Sequence, residues 1–134
     1  MENIKRYLLL TGRILLSLIF VLSSLSKLSG WEETAGYMAY AGMSMIPLFL
    51  VTAIAIELLG GLSILLGFKV KIGAAALFLF LIPVSIIFHD FWTLEGMEAQ
   101  LQKAMFMKNL SIMGGLSLLM FFGAGPFSID ENRS

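Results

Sequence analysis

The stretch AIAIELLGGLSILLGF, Ala53 to Phe68, decides the fold. It is apolar apart from Ser63 and one carboxylate, Glu57, and it carries the glycine pair Gly60-Gly61. Extended back to about Met45, the run exceeds the ~20 apolar residues that a helix needs to cross the hydrocarbon core of a bilayer. Working outward, three more segments meet the same requirement, so the expected spans are Tyr7–Leu28, Met45–Phe68, Ile72–Trp92 and Ala104–Ala124. The reading is an all-α, four-helix transmembrane bundle occupying residues 1–134 as one membrane domain.

Composition agrees. Of 134 residues, 58% are hydrophobic and 13% charged, with a mean hydropathy of +0.90; soluble domains carry about 25% charged residues. Nine basic and nine acidic side chains balance, with no polybasic block, which argues against nucleic acid as a partner. The absence of cysteine excludes disulfides, a CxxC redox pair, cysteine-ligated iron–sulfur clusters and a cysteine nucleophile. A single histidine, His89, argues against a histidine-rich metal or haem site within one chain. No set of residues reads as a nucleophile–base–orienter triad, so no catalytic residue or metal ligand is assigned.

Charge sets the orientation. A short turn, Gly67 to Lys71, joins the second and third spans and makes them antiparallel neighbours. Lys69 and Lys71 place it in the cytoplasm, with Lys5 and Arg6 at the N-terminus. By parity the tail Asp130-Glu131-Asn132-Arg133-Ser134 lies there too, giving an N-in, C-in topology. Arg13 interrupts the first apolar run, which is also long beside the ~7–15 residues of a signal-peptide core, so a retained span is expected. The outer connection SGWEETAGYMAYAGMSMIP holds Trp31, Tyr37 and Tyr40, rings suited to the headgroup level, and reads as a short interfacial helix stopped near Gly42. Pro47 suits the first turn of the second span. The other outer connection, TLEGMEAQLQKA, is polar and expected to be partly helical.

A charged side chain at mid-bilayer costs roughly 2.5–3.5 kcal/mol on insertion scales, so such residues turn towards protein or water. The candidates are Arg13, Lys27, Glu57, His89, Asp90 and Lys108, with Asn109 beside them. At about 100° per residue, Arg13, Ser17, Ser24 and Lys27 lie within roughly 40° of one line. Glu57 shares a face with Ala53 and Gly61, His89 with Ser85, and Lys108 with Ile112 and Gly115. Gly60, Gly61, Gly114 and Gly115 would let helices approach closely. With a rise of about 1.5 Å per residue, Arg13 and Glu57 differ in depth by ~7 Å, so a deep Arg13–Glu57 pair is expected beneath an outer cluster of Lys27, His89, Asp90, Lys108 and Asn109. Structural readings remain beside this one: an ion pair that only fixes helix register, lysines that snorkel to the interface, and an ordinary helix end at His89-Asp90.

Four motifs carry a family resemblance: Arg13 followed by FVLSSLSKL (Phe20–Leu28), IELLGGLSILLGFKVKIGAAAL (Ile56–Leu77), FHDFW (Phe88–Trp92) and FMKNLSIMGGLSLL (Phe106–Leu119). Their order and content resemble the DoxX family of small bacterial membrane proteins, related to the DoxD, MauE and SURF4-like groups. The resemblance implies a four-helix bundle in the bacterial inner membrane, with Arg13, Lys27, Glu57, His89, Lys108 and Asn109 at the family's recurrent polar positions. It also implies an association with quinone-linked oxidoreductase or oxidative-stress complexes, hence a redox or stress-response protein partner. The chain itself shows no flavin, haem or iron–sulfur motif, so electrons would pass through a partner or a bound quinone. Three functions follow as expectations: a subunit binding a quinone-like or other small amphiphile, a non-catalytic scaffold for a partner or for further copies of the chain, and a small transporter or proton pathway.

Overall fold

A computed structural model describes residues 1–132; of the tail named above, Arg133 and Ser134 lie outside the described residues. The chain forms α1 (Glu2–Ser29), α2 (Trp31–Tyr40), α3 (Ile46–Leu66), α4 (Val70–Phe88) and α5 (Gly96–Phe122), with 3-10 turns at Phe91–Thr93 and Ile129–Asn132. No strand occurs among the described residues. Helices α1, α3, α4 and α5 are long and apolar enough to cross a membrane, and α2 is the short helix between the first two spans. The bundle therefore meets lipid around most of its circumference, where Leu15, Leu22, Leu59, Leu79 and Leu118 are exposed.

The ends differ from the expected ones for local reasons. Helix α1 starts at Glu2 and α5 at Gly96, each well before its apolar run begins, because polar residues at a membrane surface continue a helix freely. The polar outer connection is thus largely the first turns of α5. Helix α4 stops at Phe88, short of Trp92, and Phe91–Thr93 winds on as a 3-10 turn, with the Thr93 hydroxyl donating to the Asp90 carbonyl and carboxylate at 2.9 and 3.0 Å. Pro47 lies in the first turn of α3.

Glycines set the inter-helix register. A Cβ on Gly60 would stand 2.7 Å from Leu77 Cγ, so α3 and α4 touch there, and one on Gly61 would stand 2.9 Å from Val21 Cγ2 and 3.1 Å from Phe20 Cβ, so α3 and α1 touch there. Around these contacts Phe20, Ile64, Ala74, Leu77, Leu81 and Leu116 form the main core. A second core of Met38, Leu50 and Ile54 pins α2 against the outer end of α3, with Trp31 and Phe88 packed on it. Gly115 is in ordinary contact with Leu16, whereas Gly114 meets nothing within 4 Å, contrary to its expected place in helix packing. Gly60→Ala is therefore expected to cost about 1–3 kcal/mol by overpacking, and Gly114→Ala to stay within about 1 kcal/mol of the parent. Thermal unfolding of both variants in detergent checks the contrast.

Candidate functional site

The register decides which charges meet. With Gly61 against Phe20 and Val21, four residues towards the outer face bring Glu57 level with Ser24, one turn below Lys27. Lys27 Nζ donates to Glu57 Oε1 at 3.0 Å and Oε2 at 2.9 Å, and to Ser23 Oγ at 3.1 Å. Glu57 is 6% exposed. The expected Arg13–Glu57 pair is corrected: Arg13 lies eleven residues below Ser24 on α1, about 16 Å along the axis, beyond an arginine's reach. Nor does Lys27 simply snorkel outward, since its ammonium turns down onto the carboxylate.

Arg13 serves the cytoplasmic end instead. It is 2% exposed, and its guanidinium donates to three carbonyls of the segment after α5: Ala124 at 2.8 Å, Pro126 at 3.2 Å and Phe127 at 2.8 Å. That segment crosses beneath the bundle. The Asp130 carboxylate accepts from the backbone N–H groups of Lys69 and Val70 at 3.0 and 3.1 Å, capping α4 from outside its own helix. Gly67, at φ 68°, lies where any Cβ would strike Ser128. Arg6 and Glu131 form an exposed pair at 3.4 Å. The N-terminus, the α3–α4 turn and the tail up to Asn132 thus share one end of the bundle, the end that Lys5, Arg6, Lys69 and Lys71 assign to the cytoplasm.

The remaining candidates do not form one outer cluster. Asn109, 3% exposed, donates from Nδ2 to Ser85 Oγ at 3.0 Å and binds α5 to α4. Lys108, one residue earlier, is exposed and makes no ion pair among the described residues, so α5 presents Asn109 inward rather than the expected Lys108 face. His89 Nδ1 lies 2.7 Å from Gln102 Oε1. Asp90 engages Thr93 in the outer turn. The Asn109–Ser85 bond had a sequence signal, the inward line of Ser85, but adjacent Lys108 masked it.

Above the main core a cavity of about 880 Å³ opens between α1, α2, α3 and α4. Lys27 and Glu57 lie on its wall, with Ser23, Ser26, Glu33, Thr34, Tyr37 and His89 as further polar groups. Its apolar wall includes Met38, Leu50, Phe80, Val84 and Phe88. Phe49, Thr52, Pro83 and Ile87 line it and are also exposed on the surface, so it opens towards lipid between α3 and α4. Glu33 and Tyr37 of α2 are exposed at its outer rim. The cavity thus combines an ion pair, apolar walls and a lateral opening. No group of three or more metal-ligating side chains stands together among the described residues.

Comparison with known proteins places the chain. The sequence model of the DoxX family matches residues 8–90. The inner membrane protein YqjF of Escherichia coli is 35% identical over 133 residues, covering 98% of this chain and 95% of that protein. The inner membrane protein YphA of the same bacterium is 32% identical over 124 residues, covering 92% and 89%. The ER-derived vesicles protein ERV29 of Saccharomyces cerevisiae is 29% identical over 132 residues, which is 98% of this chain but 36% of that protein. No solved structure matches.

Proposed function

The chain belongs to the DoxX family and is a multi-pass protein of the bacterial inner membrane, and from that premise we propose that it binds a small amphiphile in the outer cavity, as a subunit of a membrane-associated redox or stress-response complex. The observation that carries this reading is the Lys27–Glu57 pair on the wall of an 880 Å³ cavity, a volume within the ~300–1,000 Å³ of ligand pockets. A buried pair gains little stability over apolar packing. Set beside open space, the pair keeps hydrogen-bonding capacity on the Glu57 carboxylate that a ligand can use.

The lateral opening between α3 and α4 suits a ligand that arrives from the bilayer, and the rim of α2 suits a head group near the outer surface. A quinone-like ring is one such ligand: its carbonyls would seek the hydroxyls of Ser23, Ser26 and Thr34 or the ring of His89, all of which line the cavity. The redox or stress-response role rests on family resemblance, and the chain's own residues supply the cavity rather than electron carriers.

The test is extraction of the intact protein, solubilised with its surrounding lipid, and mass spectrometry of the extract. The expected result is one non-bulk amphiphile at close to one per chain, lost in Ala53→Trp or Val84→Phe, which fill the cavity from α3 and α4. Only bulk lipid, equal in parent and filled variants, would contradict binding and favour a scaffold.

A further inference from the structure

The hydrogen-bond ledger of the cavity selects the kind of head group, an inference that rests on the amphiphile-binding reading above. A lysine ammonium has three N–H donors. Those of Lys27 are all engaged, on Ser23 Oγ and the two Glu57 oxygens. An ionised carboxylate offers about four acceptor sites. Glu57 receives only the two bonds from Lys27 among the described residues, so each of its oxygens keeps an acceptor site. Of the hydroxyls on the wall, Tyr37 donates to the Phe88 carbonyl at 3.4 Å and Thr52 to the Leu48 carbonyl at 2.8 Å, whereas those of Ser23, Ser26 and Thr34 are neutral donors that stay available, so the charge of Glu57 is what discriminates between head groups.

Charge points the same way. The lining holds one lysine against two carboxylates, Glu57 and the exposed Glu33 of α2. The stacked rings of Tyr37 and Phe88, with centroids 5.5 Å apart, lie on the wall with Phe80, and aromatic faces attract cations.

We infer that the cavity selects an amphiphile with a cationic, hydrogen-bond-donating head, a protonated amine, over neutral and anionic heads. Its ammonium hydrogens occupy the free acceptor sites of Glu57, and its chain lies against Phe49, Pro83 and Ile87 towards lipid.

Calorimetric titration of the full chain in phosphatidylcholine nanodiscs, with protein-free nanodiscs subtracted, tests this with four probes of similar chain length: decylamine, decanol, 2-dodecanone and decanoate. Decylamine is expected to bind about tenfold more tightly than decanol or 2-dodecanone, the gain of a charge-assisted hydrogen bond over a neutral one, with decanoate weakest. Glu57→Gln is expected to abolish the advantage of the amine over the alcohol, and Glu33→Gln, at an exposed position that does not bear on folding, to reduce it. Equal or tighter binding of the alcohol, ketone or carboxylate would overturn the head-group inference while leaving amphiphile binding intact. Binding of all four that persists unchanged in Ala53→Trp, or no binding above protein-free nanodiscs, would overturn the amphiphile reading itself and the inference with it.

Discussion

Lys27→Met is expected to deplete the folded protein from the membrane, and adding Glu57→Leu is expected to restore it. Glu57 is 6% exposed and, among the described residues, its one cationic partner is the Lys27 ammonium at 2.9 Å. Removing that partner leaves a carboxylate facing low-dielectric surroundings, which costs about 3–5 kcal/mol, a large part of the ~5–15 kcal/mol of a typical fold. Replacing both partners by apolar side chains removes the cost, and in other buried pairs such a swap is neutral or stabilising. Glu57→Leu alone should be milder, because the Lys27 side chain is 24% exposed against 7% for Glu57 and can extend its ammonium towards the outer interface. Membrane accumulation and melting temperature in detergent read all three variants. An equal loss for the two single changes would contradict the asymmetry. The restored double variant also separates folding from binding: it should be stable yet lack the co-extracted amphiphile.

Arg13→Met is the second large effect, and it is expected at the cytoplasmic end alone. Three carbonyls of the final segment lose a charged donor together. Hydrogen bonds to charged groups contribute about 1.5–3 kcal/mol each and are less than additive within one network, so a loss of about 3–5 kcal/mol is expected for docking of residues 124–131. Arg13→Lys should recover only part of it, since a point charge on a flexible stem does not reproduce the planar fork that spans Ala124, Pro126 and Phe127. Arg6→Gln should change little, because that pair is exposed on both sides, 45% and 39%. Amide hydrogen exchange over Ala124–Glu131 measures the undocking, and protease susceptibility of the tail in inside-out vesicles repeats it. Exchange at the outer cavity, around α2, should stay as in the parent, since Arg13 and the cavity share no contact.

The spans were legible because lipid leaves little choice. A run of ~20 apolar residues with few charges has one common fate, and the Gly67–Lys71 turn leaves α3 and α4 no arrangement but antiparallel. Trp31, Tyr37 and Tyr40 marked α2 for a similar reason, as amphipathic rings between two spans. Helical phase also indicated that Ser17, Ser24 and Lys27 share a line with Arg13. Depth was the part that sequence could not supply. Phase gives an angle around one helix, whereas pairing across helices depends on how far each has slid past the next. That slide is set by Gly61 against Phe20–Val21 and Gly60 against Leu77, contacts between residues far apart in the chain. Starting α1 at Glu2 rather than Tyr7 would not have removed the error of pairing Arg13 with Glu57, since it places Arg13 about 16 Å from the inner end of its helix, still level with Glu57 by that count.

Two other features were hidden for separate reasons. The partners of Arg13 are backbone carbonyls, which every residue has, so no side-chain pattern marks them. The choice between Lys108 and Asn109 turns on a rotation of about 100° between neighbours, finer than the face assigned to α5 from its small residues. Gly114 was assigned to packing because it adjoins Gly115, yet only the latter faces α1.

The lysine at the outer end of α1 holds the buried carboxylate of α3. Solid-state NMR on the protein in lipid bilayers, with nitrogen-15 in lysine and arginine side chains and carbon-13 in glutamate, reads that pairing directly. Strong dipolar recoupling is expected between Lys27 Nζ and the Glu57 carboxyl carbon, as required by N···O separations of 2.9 and 3.0 Å, and none between Glu57 and the Arg13 guanidinium. Recoupling of Glu57 to Arg13, or to neither cation, would contradict the pairing.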